Sequence, residues 1–242
     1  MAVTIGWRWA FTIAAVVAIG TSLLVLVSRS SLADRRRHRL ANPIPPVALA
    51  PLVVLATGFG LGLFGASGLT AFLVTSAVTM GFAKGTPGLI ASLAAAAAVG
   101  ARIASGIRAD RRGSAHFPVV AAMLATGALG YGLLALSSET DIRWLFVVGA
   151  VVALGRGGAG TARSTSRSSV PIGAPARATG VTQVGGRLGG MLGPVIVGIV
   201  VDHWSYAAAW LLAGATSLVG AGAVLIGRHL LIAARRTVEV GE

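Results

Sequence analysis

Seven long apolar runs, at about 9–27, 47–80, 86–107, 117–137, 143–163, 178–201 and 205–227, leave this chain little freedom in how it folds. Nearly all of them reach the roughly 20 residues that a helix needs to cross the hydrocarbon of a bilayer. Of the 242 residues, 55% are hydrophobic and 11% charged, and so low a charge content excludes an ordinary soluble domain. The expected fold is all-α: a polytopic membrane helical bundle with seven transmembrane helices. The 34 glycines suit helices that approach closely in lipid, where small residues rather than hydrophobic force make the interfaces. Without cysteine, disulfides and thiol-based metal or redox chemistry are excluded, and no cofactor or metal is expected.

The second run is long enough for one tilted span or two short ones, and charge decides between them. With one span, 14 of the 20 Lys and Arg residues share a side: Arg29, Arg35, Arg36, Arg37, Arg39, Arg108, Arg111, Arg112, Arg163, Arg167, Arg177, Arg228, Arg235 and Arg236. Arg8, Lys84 and Arg143 face the other. Two spans would scatter these clusters across both sides, against the bias that keeps cationic loops in the cytoplasm. The expected topology therefore puts the amino terminus outside and the carboxyl terminus in the cytoplasm of a plasma-membrane protein. The net charge of +13 does not point to nucleic acid, because the arginines fall between apolar runs with no interleaved aromatics to stack on bases.

The first run has its arginines after it rather than before it and lacks a convincing cleavage site, so it is an anchor and not a signal peptide. Residues 28–46, with three prolines before Val47, form a cytoplasmic connector. The expected division is a first helix (1–27), the connector (28–46), six helices (47–227) and a cytoplasmic tail (228–242). The two ends also look alike: "GWRWAFTIAAVVAIG" and "HWSYAAAWLLAGATS" place Trp7 with Trp204 and Trp9 with Tyr206, a separation of 197 residues. Such a period is expected if the first span closes a repeat whose earlier members are missing; interfacial aromatics at span ends are the simpler alternative.

Residues 106–113, Gly-Ile-Arg-Ala-Asp-Arg-Arg-Gly, fit G-x-x-x-D-R-x-G and resemble the loop signature of the major facilitator superfamily, found between the second and third helices of each six-helix half. They stand between the second and third helices after the connector. The opening "GWRWAF" resembles that family's sixth helix, and "GGRLGGMLGP" (185–194) the Gly-rich stretch of its eleventh. The resemblance implies a partial fold of that family, helices six to twelve, with the first five absent. It departs from the family pattern at Ser114 and Ala115, where two basic residues often follow. Within this loop Gly106 and Gly113 permit the close approach and tight reversal, Arg111 holds the cytoplasmic side, and Asp110 is suited to accept from a neighbouring helix's amino-terminal amides. The resemblance implies that this helix belongs to the missing half. A simple positive-inside loop is the alternative.

Three arginines lie inside the spans. Arg102 is near enough to the cytoplasmic end to snorkel, whereas Arg156 and Arg187 lie about 10 and about 13 Å in by helical rise. A charge at the bilayer centre costs about 2.5–3.5 kcal/mol on insertion scales. Arg187, among Gly185, Gly186, Gly189 and Gly190, should therefore face protein or a water-filled cavity. It either binds or gates a solute, or pairs structurally with carbonyls or an acid. Gln183 sits one turn earlier, and Gly189, Gly190, Gly193 and Pro194 form a candidate hinge. Ser67, Thr70 and Phe72 are weaker path-lining candidates. No Asp or Glu lies inside a span, so a proton-carrying acid is expected outside these helices. "GASG" (65–68) resembles the nucleophile motif of rhomboid proteases, yet every histidine lies at a membrane boundary or beyond, out of reach of Ser67, and no enzyme is expected.

The sequence is thus expected to encode secondary active transport of a small solute by alternating access, in contact with the lipid bilayer and a missing amino-terminal half. A non-transporting membrane subunit or relic fragment is the alternative.

Overall fold

The computed structural model describes residues 7–28, 49–112, 116–157 and 175–239. Over these the chain is helical, in seven helices: α1 (Trp7–Ser28), α2 (Leu49–Thr79), α3 (Thr86–Arg112), α4 (His116–Thr140), α5 (Arg143–Gly157), α6 (Pro175–His203) and α7 (Tyr206–Glu239). Five of them, α2, α3, α4, α6 and α7, are long and apolar enough to cross a membrane. The described part of α5 has 15 residues, and residues 158–174 lie outside the described set. The ambiguous second run is one helix of 31 residues.

The chain divides into two compact units, 1–44 and 45–242. In the first, α1 carries exposed Ile13, Val16, Val17, Ile19, Leu23 and Leu24. Its Thr21 and Ser22 hydroxyls donate to carbonyls of their own helix at 2.8–2.9 Å, which lets polar side chains sit in an apolar span.

In the second unit α2 is central, packing most extensively on α6 and α7 and less on α5 and α3; α4 packs on α5 and α7, and α3 on α5. Exchanging α2, α3, α4 for α5, α6, α7 reproduces this pattern: α2–α6 becomes α5–α3, α2–α7 becomes α5–α4, and α4–α7 maps onto itself. Because α2 and α5 run in opposite directions, the unit is an inverted repeat of three helices, a common transporter architecture.

The same repeat is written in glycines. A methyl group on Gly58 of α2 would lie 2.9 Å from the Gly220 carbonyl oxygen of α7, and one on Gly149 of α5 would lie 2.9 Å from that of Gly130 on α4. The two pairs stand 91 and 90 residues apart in the chain. Backbones meet here because no Cβ intervenes, which gives the close dispersion contact on which helix association in lipid depends.

The turns are built by local chemistry. Helix α2 ends in a Schellman motif, with Gly81 N–H donating to Val78 O (3.0 Å), Phe82 N–H to Ala77 O (3.3 Å), and Gly81 at φ 72°. Arg143, at the start of α5, stacks 5.8 Å from the centroid of the Phe82 ring, and Phe82 in turn meets Phe146 at 5.7 Å. These contacts tie the α2–α3 turn to α5. Asp141 takes φ 55° in the α4–α5 reversal. Ser205 caps α7, its hydroxyl accepting from Ala208 N–H at 3.1 Å.

Candidate functional site

The surface that singles itself out is carried by α3 and α6. Of the five long spans these two are the least covered, with 17% and 22% of their most apolar window buried, against 44–61% for the others. They are also equivalent members of the internal repeat.

One side of α6 is buried. Gly185, Gly189 and Gly193 recur every fourth residue, so they line one face of the helix. Methyl groups on Gly185, Gly189 and Gly193 would overlap the α2 backbone at Ala56, Gly60 and Phe64, respectively. Gly186 and Gly190 face the Leu63 side chain at 3.6 Å. Helix α6 runs unbroken through Pro194, which is half-buried.

The opposite side of α6 is open, exposing Gln183, Val184, Arg187, Leu188, Met191, Leu192, Val195 and Ile199. Arg187 is seven residues inside the apolar span Gly180–His203, about 10 Å by helical rise. Its neighbours Gly186 and Gly190 touch Leu63, one residue from the midpoint of α2, so the Arg187 backbone sits at mid-span level. Among the described residues it has no hydrogen-bond or ion-pair partner. Glu139, Asp141 and Asp202 all lie at helix ends.

The other expected residues are not gathered around it. Ser67 donates to Phe64 O (3.1 Å) within α2 and abuts Gly193, so it belongs to the helix contact. Thr70 is exposed and donates to Ser67 O at 2.9 Å. Phe72 packs on Gly198, where a methyl group would come within 3.1 Å of its ring, and joins two apolar clusters. Arg156 is on the last described turn of α5, but its side chain lies outside the described set. Helix α3 continues to Arg112, so Gly106, Asp110 and Arg111 are helical; Gly113 and the side chains of Asp110 and Arg111 lie outside the described set. Among the described residues no three His, Asp or Glu side chains are grouped to hold a metal ion.

The sequence profile of the Major Facilitator Superfamily matches residues 55–237, well over half of the chain. The chain belongs to the Major Facilitator Superfamily. None of the curated proteins and none of the solved structures matches it. Membership links this chain to transmembrane transport of a solute. The match starts within α2 and ends within α7, so it covers the six-helix unit of this superfamily member and leaves α1 outside.

Two features of this superfamily chain escaped the sequence reading. The first is a second G-x-x-x-D spacing, Gly198 to Asp202 followed by His203, standing 92 residues after Gly106 to Asp110 followed by Arg111. It occupies the carboxyl-terminal end of α6, the repeat equivalent of the end of α3 at the opposite end of the bundle. There His203 Nδ1 donates to Ile199 O at 2.9 Å. A self-comparison at a period near 90 residues would have found it. The second is a set of buried polar atoms without partners among the described residues, Ser76 Oγ, Tyr131 Oη and Trp210 Nε1. No sequence signal marks these, because their burial comes from helices distant in the chain.

Proposed function

We propose that α2–α7 is one six-helix half of a secondary transporter that moves a small solute by alternating access, and that a second six-helix half covers the face formed by α3 and α6. The observation that carries this reading is Arg187, exposed at mid-span on a helix whose other side packs on α2. Facing lipid, this cation would cost about 2.5–3.5 kcal/mol on insertion scales. Facing a water-filled cavity between two halves, it is hydrated and accessible to solute. The repeat supports the same conclusion, since its two least-covered helices are symmetry equivalents.

In this reading the basic end of the bundle lies in the cytoplasm, with the amino terminus outside. Asp110, at the end of α3, accepts from the amino-terminal amides of a helix in the covering half and holds one conformation of the cycle. The glycines around Pro194 let α6 adjust as the halves rock. The coupling ion, if it is a proton, is carried by an acid of the covering half, because the described spans contain none.

Transport itself is the test. Cells expressing the chain together with an amino-terminal half from this superfamily should accumulate or lose a solute, read by mass spectrometry against cells lacking the chain. Asp110→Asn should diminish that difference while the amount of protein in the membrane stays the same. The chain reconstituted alone is expected to insert without catalysing saturable uptake. Identical solute profiles with and without the chain, despite correct insertion, would favour the second reading, a membrane subunit that does not transport.

A further inference from the structure

We infer that the open side of α6 is a binding strip for a monovalent amphipathic organic anion, a carboxylate attached to an apolar body, with Arg187 and Gln183 holding the head group. The inference rests on the transporter reading above for its purpose, but its site stands on side chains that can be tested without transport.

Gln183 and Arg187 are four residues apart and both exposed, so their side chains lie one above the other on the same face. Together they present a planar guanidinium fork and an amide N–H, the donor set that grips a carboxylate through paired charge-assisted hydrogen bonds. A neutral solute would not compensate the cation, and a cationic one would be repelled by it. A dianion would leave one charge unmatched, because the strip carries a single cation and the remaining exposed residues from Val184 to Ile199 are apolar.

The rest of the strip determines the body of the ligand. Val184, Leu188 and Met191 are 60%, 54% and 71% exposed and flank Arg187 on the same side of α6. Their apolar surface flanks the donor pair, and the flexible thioether of Met191 adapts to bodies of different shape. Gly186 and Gly190 add no side chains of their own beside the guanidinium and leave only Leu63 of α2 behind it. A small polar anion such as formate would use the head-group donors and waste the apolar strip; a chain of several methylenes would use both.

The absence of cysteine from this chain makes a local test direct. Met191→Cys places a thiol on the strip, and Leu129→Cys, on the exposed side of α4, serves as the control. The full chain in nanodiscs of zwitterionic lipid is treated with a maleimide in the presence of octanoate, octylamine or octanol. Octanoate should slow modification at position 191 saturably and leave position 129 unaffected, while octylamine and octanol should not protect. Arg187→Gln should raise the octanoate concentration for half-protection by about tenfold, the loss of a charge-assisted hydrogen bond. Arg187→Lys should recover part of that loss.

Equal protection by octanol, equal protection at position 129, or protection unchanged by Arg187→Gln would each overturn the anion site, and so would no protection by octanoate at all. The two readings fail separately. Saturable, Arg187-dependent protection in a chain that never supports uptake would refute transport and leave the site standing. Uptake of a neutral or cationic solute, indifferent to Arg187→Gln, would do the reverse.

Discussion

Gly58 and Gly220 meet backbone to backbone, each placed so that a methyl group on it would lie 2.9 Å from the other's carbonyl oxygen. Around Gly58 the same methyl would also come within 2.9 Å of the Val224 side chain. Neither helix has room to yield, because α2 is pressed on its other side by α6.

Alanine at Gly58 is therefore expected to destabilise the bundle by about 1–3 kcal/mol, the usual cost of overpacking. Alanine at Gly149, its repeat equivalent, should cost a similar amount, since it meets both the Gly130 carbonyl and the Leu134 backbone at 2.9 Å. Thermal unfolding in detergent measures both. A loss at one site with none at the other would mean that the two interfaces do not bear equivalent loads.

Glycines on α6 should divide by face. Gly189→Ala would drive a methyl into the Gly60 backbone of α2 and is expected to prevent stable packing. Gly190→Ala meets only the Leu63 side chain, at ordinary contact distance, and should be tolerated in folding. If Gly190→Ala folds normally but slows transport, the hinge role gains direct support; if both variants fold equally well, the backbone contact is less tight than described.

Tyr131 offers a test of a different sort. Its hydroxyl is fully buried with no partner among the described residues and would lie 3.0 Å from a methyl at Gly65. A buried polar group left unpaired costs about 1–3 kcal/mol. Tyr131→Phe should accordingly match or exceed the parent in unfolding temperature. A clear loss of stability in the Phe variant would reveal a bound water bridging this hydroxyl.

Orientation is measurable by thiol labelling. Cysteines at Glu139, after which the chain reverses into α5, and at Ser166, between α5 and α6, should react with an impermeant reagent from opposite sides of the membrane. The proposed topology puts position 139 outside. Labelling of both from one side would sink it.

Much of the fold was legible because the bilayer imposes a length. The short turns and the number of helices follow from where apolar runs begin and end, and the single helix over 49–79 from the distribution of charge around it. Helix ends were less legible: α3 continues to Arg112 and α7 to Glu239, beyond the expected 107 and 227. Hydropathy marks where lipid stops, whereas backbone hydrogen bonding continues through arginines that water accepts. The site was half legible. A mid-span arginine is conspicuous in any sequence, but that its side of α6 is left open depends on how α6 packs on α2. By contrast, Phe72 reads as a path-lining aromatic until Gly198 is found against its ring, and Ser67 reads as a free hydroxyl until its own helix claims it. Those outcomes depend on which faces of α2 and α6 meet, which no single helix encodes.

The inward-turned hydroxyls of α2 set a sense of direction for anything resting against it. Thr57, Ser67 and Thr70 each give their proton to a carbonyl of their own helix, at 2.9–3.1 Å. What they leave free is lone pairs. On the neighbouring helix, Arg187 contributes only N–H groups, so the two helices present opposite hydrogen-bond polarity. Whatever lies against the exposed Thr57 and Thr70 hydroxyls can therefore be held there only through its donors.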